Sequence, residues 1–432
     1  MEPRLVIRTL ACALLLGGGS AAGQAPPAGI TLDEVYALAR ERSPRVRAAR
    51  AVVDASRARE GAASLPADPT LEIGVMNLSL PGLSADMPTS MAPQIQAMQM
   101  LPFPGKLRLA RRIAGLDTGI ARAKADETWW EVRSSAATAF YDIYEADAQI
   151  AVMRETLDLL RAFEAAAKAL YAAGGGRQSD VLRAGVEVAR MEADLRRMQA
   201  MRTAAAARLN AVLDRPADTP VPAPVLPALP LHVPEPDTLR AWAERSRPLL
   251  EAGRTRVEQA RARTDLARRE IWPDPAIGLA YGQRGGAMGT ERMGSVMVGF
   301  SVPVFAGRRQ RSMRDEAEAG EQVAQAALAE ERARVDARIA ELLASLDRTR
   351  DLVRLYRADV LPQARANVES SFSAYRVGAV DFTTLVDAQM AVNRFERELH
   401  ALLAEYGRAV AELEWTIGRA IPVAGETLAE VP

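Results

Sequence analysis

The 432 residues balance Lys+Arg 55 against Asp+Glu 55, so the chain carries no net formal charge and offers no broad basic footprint for nucleic acid. With 49% apolar and only 5% aromatic residues, and alanine, arginine and glutamate plentiful, it has material for a sizeable core built from long helices and coiled coils. The sole cysteine, Cys12, lies so close to the start that a processed chain is expected to hold neither disulfides nor thiolate metal sites.

Arg4 and Arg8 precede the apolar run Leu10 to Leu16, and small residues follow from Gly17 to Ala25. That order reads as a secretory signal peptide over 1–25, cleaved between Ala22 and Ala25, because the apolar run is too short to span a bilayer. A lipid-anchor cysteine would follow the run and want an aliphatic residue three places before it; Cys12 sits at its start with Thr9 in that place, so an unlipidated mature chain is expected. No later stretch has the roughly 18 uncharged apolar residues of a transmembrane helix, so any entry into a membrane must be by strands.

A first unit occupies 26–214. Thr31-Leu32-Asp33-Glu34 is a capped helix start, and the pattern predicts a helix towards Ala63, kinked near Ser43-Pro44 and ended by Pro66 and Pro69. Leu71 to Val75 alternates with period two, and Ile95 to Met100 does so less cleanly, with Pro81 to Pro93 reading as a loop between them. Pro102-Phe103-Pro104-Gly105-Lys106 closes this strand pair. No proline then interrupts Leu107 to Tyr171, which permits a helix of roughly 100 Å at about 1.5 Å per residue. Tyr171-Ala172-Ala173-Gly174 forms a glycine corner, and a second helix is expected from about Ser179 to Leu213. The stretch 215–236 is dense in proline, which excludes helix and predicts an extended linker.

A second unit, 237–420, repeats the plan. It reads as a helix from Thr238 to Ile271 with an early Pro248, strands over Ile277 to Gly282 and Val296 to Val302, and a short polar loop from Gly285 to Arg292. A long helix kinked at Pro362 then reaches the corner Tyr375-Arg376-Val377-Gly378. A final helix extends to about Gly418, before a tail over 421–432. One offset, 204 residues, carries Gly174 to Gly378, Tyr171 to Tyr375, Ala184 to Ala388, Pro44 to Pro248 and Pro69 to Pro273. The chain reads as one helix-strand-strand-helix unit written twice.

Four strands of about ten residues are long enough to cross a bilayer when tilted, but the smallest membrane barrels need about 8 strands. An open edge in lipid would leave peptide groups unsatisfied at several kcal/mol each, so several copies would have to share one barrel. The other reading of these strands is a small soluble sheet. The alanine-rich hairpins suit coiled-coil pairs that would line up as a tube in an oligomer.

The duplicated plan, Leu361-Pro362-Gln363-Ala364, and the two Tyr-x-x-Gly corners with the Ala-containing helices that follow them resemble the TolC-type outer-membrane efflux proteins over nearly all of the mature chain. The resemblance implies a mainly α fold with a small β part. Three chains would build a helical α-barrel through the periplasm and a twelve-stranded transmembrane β-barrel, four strands from each, set in outer-membrane lipid. It implies a non-enzymatic exit duct without a cofactor, which works with a periplasmic adaptor and an inner-membrane efflux pump on metal ions or small molecules. Gln99 to Lys106 is similar to the strand exit of members that serve heavy-metal pumps. The alternatives are a periplasmic adaptor or structural coiled-coil protein, expected to have one hairpin between β-rich halves, and a self-standing porin, expected to have many more strands.

By the same resemblance Asp387 matches an acidic position at the periplasmic constriction, where three copies would form a carboxylate ring that repels itself and attracts cations. Thr384 stands where the family carries a companion acid one turn earlier. Asp180 and Tyr375 match positions that hold the entrance shut, a phenol donating to a carboxylate being a latch broken at modest cost. Asp180 also fits a first-turn acid favoured by the helix dipole, and Asp387 a solvated helix face. Gly174 and Gly378 match adaptor-docking tips, where the absence of a side chain lets a partner helix approach; both also serve to turn the chain. Met76, Met87, Met91, Met98 and Met100 gather around the first strand pair, where thioethers suit soft ions such as Cu(I) and equally suit apolar packing. His232, in the linker, and His400, on a helix, have no spacing that suggests a metal site or a catalytic triad.

Overall fold

A computed structural model describes residues 29–78, 81–83, 85, 90–286, 289–302, 304–305, 307–423 and 427–428. The expected signal peptide lies outside the described residues. Among them, no helix is long and apolar enough to cross a membrane.

Each unit opens on two helices where a single kinked one is expected. In the first unit these are α1 (Leu32–Arg42) and α2 (Pro44–Ala62). The start of α1 is a reciprocal capping box: the Glu34 N–H donates to Thr31 Oγ1 at 3.3 Å, and the Thr31 N–H donates to Glu34 Oε2 at 2.8 Å. In the second unit the stretch Thr238 to Ile271 divides into α5 (Pro236–Ser246) and α6 (Pro248–Arg269). The breaks fall at Ser43 (ψ 123°) and Arg247 (ψ 118°), because the residue before proline is driven out of helical conformation into extended backbone. Proline then starts the next helix, where its missing N–H costs nothing.

Between these helix pairs and the long helices lie β1 (Thr70–Met76), β2 (Met91–Met100), β3 (Pro275–Gly286) and β4 (Gly289–Phe300). They form one antiparallel sheet in the order β1-β2-β3-β4, so the two units meet edge to edge through β2 and β3. Two expected loops are shorter than the sequence suggests. Met91 to Pro93 belongs to β2, and Gly285 to Arg292 is mostly hairpin strand, paired out to Gly286 opposite Gly289. The polar residues that suggest a loop are cross-strand partners instead, Arg284 reaching Glu291 at 2.7 Å.

The helical part is built on α3 (Lys106–Ala172), which forms a hairpin with α4 (Gln178–Val212). In the second unit α7 (Arg309–Leu355) leads through Tyr356–Val360 into α8 (Leu361–Arg376), which turns into α9 (Phe382–Ile417). The kink expected at Pro362 takes the form of a single π-turn. The Leu361 N–H donates to the Tyr356 carbonyl five residues back, and this wider turn makes room for a proline that cannot donate to the preceding one.

The main core lies at mid-length, where Phe140, Tyr141, Leu209, Leu239, Ile339, Leu413 and Ile417 pack together. The proline-rich linker is extended, as its composition requires, but it is packed into this core as well. Leu229 and Leu231 are buried, Tyr406 donates to the Pro230 carbonyl at 2.7 Å, and Pro230 bridges to Thr427 in the tail. A polar joint ties sheet to helices: the buried Lys106 ammonium meets Asp274 at 2.9 Å, Glu270 at 3.1 Å and the Trp272 carbonyl at 3.1 Å, while Phe103 stacks on Trp272. The exit of β2 and the entry of β3 are thereby fastened together.

Candidate functional site

Two regions hold the residues singled out above: the hairpin tips and the sheet. At the first tip Gly174 has φ +76° and at the second Gly378 has φ +75°, a left-handed conformation that favours glycine. The N–H of each glycine donates at 3.0 Å to the carbonyl of the tyrosine three residues back, Tyr171 and Tyr375. The next N–H closes a longer loop, Gly175 to Leu170 at 3.0 Å and Ala379 to Ala374 at 2.9 Å. These paired bonds are a Schellman C-cap, which explains the Tyr-x-x-Gly spacing through the backbone. Space around both glycines is open, since a Cβ added at either would meet nothing within 4 Å.

The structure brings Asp180 and Tyr375 to one tip assembly. Tyr375 is buried against Phe382, ring centroids 5.4 Å apart, in a cluster with Leu385 and Val386. Its hydroxyl is buried and makes no hydrogen bond among the described residues. Burial first and the neighbouring Asp180 carboxylate second push the Tyr375 phenol above its ordinary pKa. Within the chain, then, the two are electrostatic neighbours without a hydrogen bond, and Asp180 stands in the first turn of α4. Asp387 is exposed on α9 and forms no ion pair among the described residues. A pair that sequence reasoning missed joins the two tips: Arg177 meets Asp381 at 3.3 Å. The signal was available, because these two residues are 204 apart and occupy the same position in the two units.

In the sheet, pairing register fixes which residues share a face. Leu71 and Ile73 of β1, Ile95 and Ala97 of β2, Ile277, Leu279 and Tyr281 of β3, and Val296, Val298 and Phe300 of β4 fall on one side. Polar side chains enter it at its two ends, Gln99 at one and Gln283, Thr290 and Arg292 at the other, and the apolar residues between them are exposed, to 70% at Ile73 and 74% at Val296. The opposite side carries Thr70, Glu72, Gln94, Gln96, Gly278, Ala280, Gly282 and Ser295, together with Met98, Met100, Met293 and Met297. Met87 lies outside the described residues. The outer edges of β1 and β4 have no strand partner among the described residues.

No group of three or more His, Cys, Asp or Glu among the described residues is placed to hold a metal. His400 is half-buried on α9, 3.4 Å from the Tyr144 hydroxyl, and burial lowers its pKa. His232 is exposed in the linker.

A family model described as "Outer membrane efflux protein" matches residues 35–215 and 240–419. Among solved structures, the outer membrane protein VceC from Vibrio cholerae is similar at 19% identity and a TM-score of 0.75, covering 90% of this chain and 96% of that one. CusC, described as a transmembrane channel, is similar at 16% identity and a TM-score of 0.76, covering 90% and 92%. The MtrE outer membrane channel of Neisseria gonorrhoeae is similar at 18% identity and a TM-score of 0.70, covering 90% and 89%. No curated protein sequence matches the chain.

Proposed function

The chain belongs to the outer membrane efflux protein family, and from that premise we infer that it is the passive exit duct of a tripartite efflux system, its sheet supplying one third of a shared membrane barrel. The observation that carries this reading is the apolar face that crosses all four strands β1 to β4, with no strand paired to either outer edge among the described residues. Such a face is stable in hydrocarbon, whereas such edges are not. Three copies joined β4 to β1 would close twelve strands, the polar and methionine-bearing side turning inward. The hairpins α3–α4 and α7–α9 of three copies would continue that lumen as a helical tube, since α3 alone, 67 residues long, extends for roughly 100 Å.

Energy and selection would come from an inner-membrane pump and a periplasmic adaptor, the substrates being small molecules or metal ions. In this reading Gly174 and Gly378, open on all sides, are the tips where adaptor helices dock. Asp387 from three copies makes a cation-attracting ring, and Asp180 and Tyr375 restrain the closed entrance. The units would divide at the linker, 26–214 and 237–420.

The test is to purify the protein in detergent, weigh the particle and reconstitute it in planar bilayers. A trimer that conducts supports the duct, and a monomer that stays soluble without detergent overturns it. Asp387→Asn is expected to lower cation selectivity. Tyr375→Phe with Asp180→Ala is expected to raise conductance, and unchanged conductance removes the latch.

A further inference from the structure

Beyond the hairpin tips, the most specific side-chain arrangement is on the polar side of the sheet, where two glycines of β3 are each flanked by methionines from both neighbouring strands. Gly278 pairs with Met98 of β2 on one side and Met297 of β4 on the other. A Cβ built at Gly278 would lie 3.3 Å from Met297 Cε, so that thioether already leans over the glycine. Four residues along, Gly282 pairs with Met293 of β4, and a Cβ built there would lie 2.7 Å from Met91 Sδ. The sulfur of Met91 thus occupies the space a side chain would need.

Packing alone does not account for this arrangement. Met98 and Met293 remain more than one third exposed, so they fill no apolar core. Strands two apart in a sheet are separated by about 10 Å. Two long, flexible side chains can close that gap only over a residue without one, which is what glycine supplies at both positions. The row between the two pairs holds Glu72, Gln96, Ala280 and Ser295, and the row beyond the second pair holds Arg284 ion-paired with Glu291, so among the described residues Glu72 is the carboxylate beside the sites that no cation neutralises.

We propose that the pairs Met98/Met297 and Met91/Met293 are two binding sites for a soft monovalent cation, Cu(I) or Ag(I), each held between two thioether sulfurs above a glycine. Thioether is a soft, neutral donor that discriminates against Na⁺, K⁺, Mg²⁺ and Ca²⁺, whose ligands are oxygens. Neutral donors leave the ion its charge, which Glu72 attracts from between the sites. Two such sites in line suit passage from one to the next, where binding must be favourable enough to enter and weak enough to leave. Only this transport meaning rests on the reading of the sheet as a barrel wall; the binding itself does not.

The experiment uses the full detergent-purified protein carrying [methyl-13C]methionine, titrated with silver nitrate in chloride-free buffer. The expected result is that the methyl signals of Met91, Met98, Met293 and Met297 move with two silver ions bound per chain. The signals of Met153 and Met191, both buried in the helices, should stay still. The double variants Met98→Leu/Met297→Leu and Met91→Leu/Met293→Leu keep side-chain volume, and each is expected to lose one of the two bound ions. Unmoved sheet methionines, or leucine variants that bind silver as the parent does, overturn the proposal. Conductance of the same samples in potassium nitrate separates the two readings. A conducting channel that binds no silver refutes the sites and leaves the duct standing, whereas a silver-binding protein that does not conduct refutes the duct and leaves the sites.

Discussion

At the first hairpin tip the tyrosine of the turn is 49% exposed, and at the second its counterpart is 6% exposed, although the glycine φ values differ by a single degree. Position by position the contrast continues. Leu182 is 64% exposed and its equivalent Val386 is 2% exposed; exposed Gln178 corresponds to buried Phe382. The backbone of the corner is common property of the duplicated unit, whereas the side chains around it have diverged into a packed tip and an open one. A turn defined by two hydrogen bonds and one left-handed residue tolerates such divergence, because neither bond involves a side chain. The packed tip is built to hold its shape, and the open one leaves apolar area for another surface to cover.

Breaking the packed tip should have the largest effect. Phe382→Ala removes a fully buried aromatic and is expected to cost about 3–5 kcal/mol, read as lost hydrogen-exchange protection across α8 and the start of α9. The equivalent change at the open tip, Gln178→Ala, should leave protection there within about 0.5 kcal/mol of the parent. If both tips loosen alike, the contrast is wrong.

Next in size, Gly174→Ala and Gly378→Ala place a Cβ in the left-handed region and should each cost roughly 1–2 kcal/mol. Because the turn is shared, the two losses should match, measured at the amides of Gly175 and Ala379. Unequal losses would mean that side-chain packing reaches into the turn itself.

His400 sharpens the comparison along the hairpins, since its counterpart in the first unit is the exposed Arg196. Burial, and after it the Arg357 charge, holds the His400 imidazole below its ordinary value of 6.5, against the opposing pull of Glu396. A depressed folded value means that stability is full above 6.5 and falls as pH drops through the lower folded value. The thermal midpoint should therefore decline between neutral and mildly acidic pH, and His400→Gln should flatten that decline.

The smallest effect is expected at Arg177→Ala, which breaks an ion pair exposed on both sides; the loss should stay below about 1 kcal/mol and vanish at high salt. A larger, salt-resistant loss would show that the tips are joined by more than this pair.

Much of this molecule was legible in its residues. Glycine and proline act locally, so the corners at Gly174 and Gly378, the end of the first helix pair before Thr70, and the extended linker all follow from backbone restriction. The offset of 204 residues declares the duplication, and period-two alternation marks the strands. Where the reading ran short, a local signal had a partner elsewhere. Gly285 to Arg292 reads as polar loop until Arg284 is seen opposite Glu291, and the linker reads as a free connector until Tyr406 and the tail hold it. Asp180 and Tyr375 were singled out from sequence, but the neighbours that bury the phenol, Phe382, Leu385 and Val386, belong to a different helix.

By itself the sequence determined the unit, its repetition, its turns and the length of its helices, because each depends on conformational preferences within a few residues. Tertiary structure alone decided that the two units share one sheet through β2 and β3, that methionines from both units flank Gly278 and Gly282, and that one tip is packed while the other is open. Those outcomes depend on register and on contacts between residues far apart in the chain, which no local preference encodes.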